Sequence, residues 1–176
     1  DWRNDMRDGP TVVASRADAL SRFIGAYSRL ARLPRPRLAP VEIYPLVHRV
    51  ASLESRVPVR VEDGPALTLQ ADGDQLEQLL INLVRNAADA ALETGGGVTL
   101  CWDQEGHLAT VRVLDDGLGL SNTANLFVPF FTTKPGGSGI GLVLCRQIAE
   151  AHGGSLTLAN RTGAHGCQAT LALPLQ

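Results

Sequence analysis

No stretch of this 176-residue chain is apolar for the roughly 18 residues that a bilayer-crossing helix needs, and no signal-peptide pattern is present. An excess of one charge is missing too. A formal net charge of −2 gives no reason to expect nucleic acid or an anionic membrane as the main partner. Cysteine is scarce: Cys101, Cys145 and Cys167 are odd in number and form no CxxC pair. The histidines His48, His107, His152 and His165 show no metal-ligand spacing. The cysteines are therefore expected to be reduced core residues of a cytoplasmic protein. Aromatics are few, and Phe127, Phe130 and Phe131 crowd together in one segment. The chain opens on Asp1 rather than Met, so it is expected to be a piece of a longer protein, meeting a membrane only through upstream segments.

Hydrophobic residues make up 44%, enough for a proper core in one domain with a short appendage. Residues 11–33 carry apolar positions at near-heptad spacing (Val13, Ala17, Leu20, Phe23, Ile24, Tyr27, Leu30) and predict an amphipathic helix. That helix either folds back on the domain C-terminal to it or is half of an interrupted helical hairpin. Pro34, Pro36 and Pro40 end it in a hinge or linker. The pattern then turns α/β. Helices are predicted over 45–55, 74–92 and 139–151, the last closed by Gly153-Gly154. Strands are predicted over 57–61 and 66–69, joined by an Asp63-Gly64-Pro65 turn, then over 98–102, 108–114, 155–159 and 168–173.

On the helix at 74–92, Leu76, Leu79, Leu80, Leu83, Val84, Ala87 and Ala91 share the core face. Gln75, Gln78, Asn82, Asn86 and Asp89 form a stripe beside it. Asn is a poor helix former, so two of them at i and i+4 want a reason. A carboxamide oxygen is a neutral, hard ligand that suits Mg²⁺; contact with another backbone segment explains the stripe equally well. Asp115-Asp116-Gly117-Leu118-Gly119 follows a strand, where an Asp can accept from an exocyclic amine and glycines let a flat ligand approach, although DDG is also a common turn. Gly137-Ser138-Gly139-Ile140-Gly141-Leu142 enters the helix at 139–151 and offers free amides to phosphate. No strand precedes it, which argues against a dinucleotide-binding Rossmann unit. Between these turns, NLFVPFFTTKPG (125–136) reads as a segment pinned by aromatic packing at one end and free to cover a ligand at the other.

Taken in order, NLVRNA, DDGLG, LFVPFFTTK and GGSGIGL resemble the N, G1, F and G2 boxes of the GHKL ATP-binding superfamily, and within it sensor histidine kinases. The resemblance covers roughly residues 40–176. FIGAYSRLARLPRP is similar to the end of the second dimerisation helix of nitrogen-regulation type kinases. The resemblance implies a two-layer α/β sandwich of the Bergerat type, a mixed sheet with helices on one face, over residues 40–176. It makes residues 1–39 a remnant of the helical dimerisation domain and its linker. It implies ATP and Mg²⁺ as cofactors. Asn86 would ligate Mg²⁺, with Asn82 beside it as a second candidate ligand and catalytic residue. Asp115 would take the adenine amino group, supported by Gly117 and Gly119. Phe127, Phe130 and Phe131 would anchor the lid; Thr133 and Lys134 lie on it, and Lys134 and Arg85 would screen phosphate charge. Gly137, Ser138, Gly139, Ile140, Gly141 and Leu142 would approach the phosphates.

Hydrolysing members carry a Glu four residues before the metal-binding Asn; here that position is Asn82, and an amide cannot act as a general base. The resemblance thus implies transfer of the γ-phosphoryl group to a histidine on a dimerisation helix, then to the receiver domain of a response regulator, in a homodimer. Asp89 departs from the pattern, standing where many such kinases carry Lys. None of the four histidines sits in a phosphoacceptor context, so the chain is expected not to phosphorylate itself. The alternatives are a GHKL ATPase, a serine kinase of the anti-sigma type, or a nucleotide-sensing module without kinase activity.

Overall fold

The computed structural model describes Gly25 and residues 33–121, 125–132, 134 and 137–175. The helix expected over 11–33 lies outside the described residues except at Gly25 and Leu33. In chain order the elements are β1 (Ala39–Glu42), α1 (Ile43–Leu53), β2 (Val59–Glu62), β3 (Thr68–Ala71), α2 (Gly73–Leu92), β4 (Val98–Glu105), β5 (Leu108–Asp115), α3 (Gly141–Ala151), β6 (Ser155–Asn160) and β7 (Cys167–Pro174). Five strands form a mixed sheet in the order β2-β4-β5-β7-β6, with β2 parallel to β4 and the other pairs antiparallel. The three helices cover one face, giving the expected two-layer α/β fold.

The sheet alternates because side chains alternate along a strand. Leu100 on β4 faces Val113 on β5, which faces Ala169 on β7; Trp102, Val111 and Leu171 form the next row. All six are buried and meet Leu76, Leu79, Leu80 and Leu83 of α2 and Leu144, Cys145 and Ile148 of α3. Trp102 also satisfies its indole N–H on the Pro65 carbonyl at 2.8 Å. α3 ends in a Schellman arrangement: Gly153 sits at φ 73°, its N–H donates to the Glu150 carbonyl at 3.0 Å, and the Gly154 N–H donates to Ala149 at 2.9 Å.

The stretch read as a Pro-rich hinge is instead drawn along α2. Gln75 Nε2 donates to the Pro34 carbonyl at 3.0 Å and the Arg37 N–H donates to Asp72 Oδ2 at 2.9 Å. β1 then pairs antiparallel with β3 in a separate two-stranded sheet. Pro40 is accepted there because a two-stranded sheet has only edges. The strands expected around Asp63-Gly64-Pro65 consequently belong to different sheets rather than to each other.

Asp72 also caps α2, its Oδ1 accepting from the Gln75 N–H at 3.2 Å. Asp72→Ala should destabilise the fold by about 1 kcal/mol in urea unfolding. The Arg37 N–H above all holds this carboxyl below its ordinary 3.8, burial opposing and the Gln75 N–H assisting. A carboxyl lowered on folding contributes stability above its unfolded pKa and loses it as pH falls through the folded value. The gap between wild type and variant should therefore shrink below about pH 4; an equal gap at about pH 7 and about pH 2 would contradict the cap.

Candidate functional site

The ends of β5 and β7, one flank of α2 and the segment running from Gly119 into α3 enclose a cleft of about 490 Å³, large enough for a nucleotide-sized ligand. Its inner end is apolar, with Val113, Leu158, Cys167 and Ala169 from the strands and Leu83, Ala87 and Ala90 from α2. Burial pushes the Cys167 thiol up to about 11, so it stands there as a neutral group.

Asp115, the last residue of β5, is the charged group at this end and is only 5% exposed. Its Oδ1 accepts from the Gly117 N–H at 2.9 Å and the Cys167 N–H at 3.1 Å. Oδ2 has no hydrogen-bond partner among the described residues. An unpartnered oxygen on an otherwise buried carboxylate is suited to a ligand donor. The turn after it is held from outside the cleft. Arg161 Nη1 donates to the Asp115 carbonyl at 2.8 Å and pairs with Asp116 Oδ1 at 2.6 Å, which with the Gly97 N–H keeps the Asp116 carboxyl below its ordinary value. Asn160 grips Leu120 by both its N–H and its carbonyl. Gly119, at φ 82°, makes the bend between these grips. Gly117 does not line the cleft; a Cβ there would meet Ala90 Cβ at 2.8 Å, so its role is close packing of the turn on α2.

The outer end is polar. Asn82, Arg85, Asn86 and Asp89 project from α2, and Lys134 reaches across from the facing segment. Lys134 Nζ donates to Asp89 Oδ2 at 2.8 Å and to Asn86 Oδ1 at 3.3 Å. The Asn86 oxygen thus already holds a cation. Among the described residues no group of three His, Cys, Asp or Glu is placed to hold a metal ion. A lone carboxamide oxygen still fits an ion of the Mg²⁺ type, which takes one or two protein ligands and fills the rest of its shell with water and phosphate.

Gly137, Ser138, Gly139, Gly141 and Leu142 lie along the same end. α3 starts there without a side-chain cap, leaving its first amides to whatever occupies the cleft. A Cβ on Gly141 would meet nothing within 4 Å, so the missing side chain keeps open space at the helix entrance. Ile140 is different: it is buried in the core and does not line the cleft.

The aromatic segment divides. Phe127 packs against the core, with the Arg146 guanidinium 5.2 Å from its ring centre. Phe130 and Phe131 are 37% and 49% exposed, and Phe131 lines the cleft, so packing on the core falls to Phe127. The reason is local: Phe130 takes a positive φ of 65° where its N–H donates to the Gly139 carbonyl, and the chain turns outward. Thr133 lies outside the described residues. The strand residues of the inner end, and the grips from Asn160 and Arg161, escape a reading based on helix stripes and glycine turns. For Cys167 and Ala169 the one sequence signal is the inward alternation of 167–173.

Among the described residues no histidine lines this cleft. His152 is buried and spends both ring nitrogens, Nε2 accepting from the Asp72 N–H at 3.0 Å and Nδ1 donating to the Ile148 carbonyl at 2.8 Å. His48 pairs with Asp63 and lies against the Tyr44 ring at a tilt of 42°.

Residues 71–176 match the family described as histidine kinase-, DNA gyrase B-, and HSP90-like ATPase. The C4-dicarboxylate transport sensor protein DctS of Rhodobacter capsulatus is 38% identical over 142 residues, covering 78% of this chain and 20% of the relative. The sensor histidine kinase ZraS of Escherichia coli (strain K12) is 31% identical over 173 residues, 93% of this chain and 37% of ZraS. This chain thus matches only 20% to 37% of the length of these relatives. Among solved structures, the catalytic domain of histidine kinase ThkA is similar at 27% identity with a TM-score of 0.70, covering 79% of this chain and 96% of that one.

Proposed function

Because this chain belongs to the histidine kinase-, DNA gyrase B-, and HSP90-like ATPase family, we propose that it is the ATP-binding catalytic module of a two-component sensor histidine kinase. It delivers the γ-phosphoryl group to a histidine on a dimerisation helix, in a homodimer, for relay to the receiver domain of a response regulator. Residues 1–39 are then the remnant of the dimerisation domain and its linker, and 40–176 the catalytic domain of the cytoplasmic portion. Among the described residues no helix is long and apolar enough to cross a membrane.

The observation that carries the reading is the buried Asp115 carboxylate, with one oxygen fixed by two backbone amides and the other free toward the cleft. In this reading Oδ2 accepts from the exocyclic amine of adenine, with Gly117 packing the turn on α2 and Gly119 letting it sit close beneath the ring. The triphosphate runs toward the α3 entrance, where the backbone from Gly137 to Leu142 presents amides. Lys134 and Arg85 screen its charge. Asn86 would hold Mg²⁺, with Asn82 one turn away as the second candidate ligand, and the ion would supply neutralisation of phosphate charge. Phosphoryl transfer asks mainly for such positioning and charge stabilisation. Asn82 supports transfer over hydrolysis, since its amide cannot take a proton from water.

Purified chain should bind Mg-ATP in calorimetry, release phosphate only at background rate, and incorporate no label from γ-labelled ATP. Sustained phosphate release would favour a hydrolysing ATPase. Acid-labile label on the chain would overturn the absence of an acceptor here. No nucleotide binding at all would sink the reading.

A further inference from the structure

Asp89 is an awkward neighbour for a polyanion. Burial alone would push its carboxyl up, yet Lys134 and Arg56 hold it below its ordinary value, so it stands as a negative charge in the cleft wall. Lys134 takes its Oδ2. A phosphate that recruits Lys134 would strip Asp89 of that cation and then face the carboxylate directly.

A second cation comes from outside the cleft. Arg56, in the loop between α1 and β2, places Nη1 on Asp89 Oδ1 at 2.7 Å. Glu54, its side chain only 5% exposed, clamps the rest of the guanidinium, with Nε on Oε1 at 3.1 Å and Nη2 on Oε2 at 2.7 Å. The planar fork is therefore fixed in orientation, which a lysine could not reproduce. Each Asp89 oxygen has its own cation, and only the Lys134 one belongs to the facing segment.

We propose that Arg56 is a positioning residue for phosphate binding: it cancels the Asp89 charge, so that Lys134 can leave Asp89 for a bound triphosphate. This rests on the nucleotide reading of the cleft. Arg56 touches no ligand and acts through Asp89.

The test is calorimetry at low salt with ATP and with adenosine, on wild type, R56Q, D89N and the double variant. R56Q should weaken ATP by about tenfold and adenosine by less than about twofold, because only the phosphates meet the uncovered charge. D89N should tighten ATP by about threefold, and in its background R56Q should cost less than about twofold. Equal losses for ATP and adenosine, or an undiminished loss in the D89N background, would overturn the proposal. Should R56Q not fold, D89N alone decides: weaker ATP binding sinks it. Wild type that binds neither compound removes the nucleotide reading itself, whereas normal wild-type binding with an inert Arg56 removes only this inference.

Discussion

Asp115→Asn is expected to weaken ATP by about 1–3 kcal/mol, roughly 5- to 150-fold, while leaving the fold intact. The asymmetry of the carboxylate is the reason. Oδ1 must accept from the Gly117 and Cys167 amides, so an asparagine places its oxygen there and its NH₂ where Oδ2 was. A donor would then face the donor of adenine. The same variant should discriminate less against inosine triphosphate, whose exocyclic 6-oxo group accepts at that position. Calorimetry with both nucleotides, beside a thermal melt, decides the matter. Unchanged ATP affinity in a folded variant would remove Asp115 from the purine site.

Gly166→Ala should give the largest structural effect, about 3 kcal/mol or more in denaturant unfolding, with loss of nucleotide binding. Gly166 sits at φ 103°, and a Cβ there would lie 1.9 Å from the Asp115 carbonyl oxygen and 3.1 Å from Oδ1. Relief would require the β5 end to move, taking the carboxylate with it. Gly163 is the control: its φ is 74°, but a Cβ would meet nothing within 4 Å. Gly163→Ala should cost only about 1 kcal/mol, the backbone strain alone. Equal costs at the two positions would show that the approach to Asp115 is not tight.

The elements written in local periodicity were legible. α2 could be read almost to its ends because its leucines recur at helical spacing. The Gly153-Gly154 stop was equally plain. β1 was not, since its pairing with β3 lies far along the chain and its Pro40 argued for a linker. Most of the residues named for the site do line one cleft, because box order reports on a shared ligand. Phe130 and Phe131 misled for a physical reason: aromatic composition suggests packing, but a positive φ at Phe130 turns the chain outward. Arg56, Asn160 and Arg161 carried no signal. Each acts through a partner distant in sequence, and a single long-range hydrogen bond leaves no pattern in neighbouring residues.

β5 is the middle strand of its sheet, paired with β4 along its full length on one side and with β7 on the other, and Asp115 is its last residue. A central strand can separate only when the whole domain opens, whereas turns and helix entrances yield at lower free energy. The two ends of the cleft therefore differ in mechanical character. The inner end is a fixed anvil, whose carboxylate keeps its place for as long as the protein is folded. At the outer end α2 faces turns and a helix entrance, and that facing wall can rearrange without disturbing the inner end.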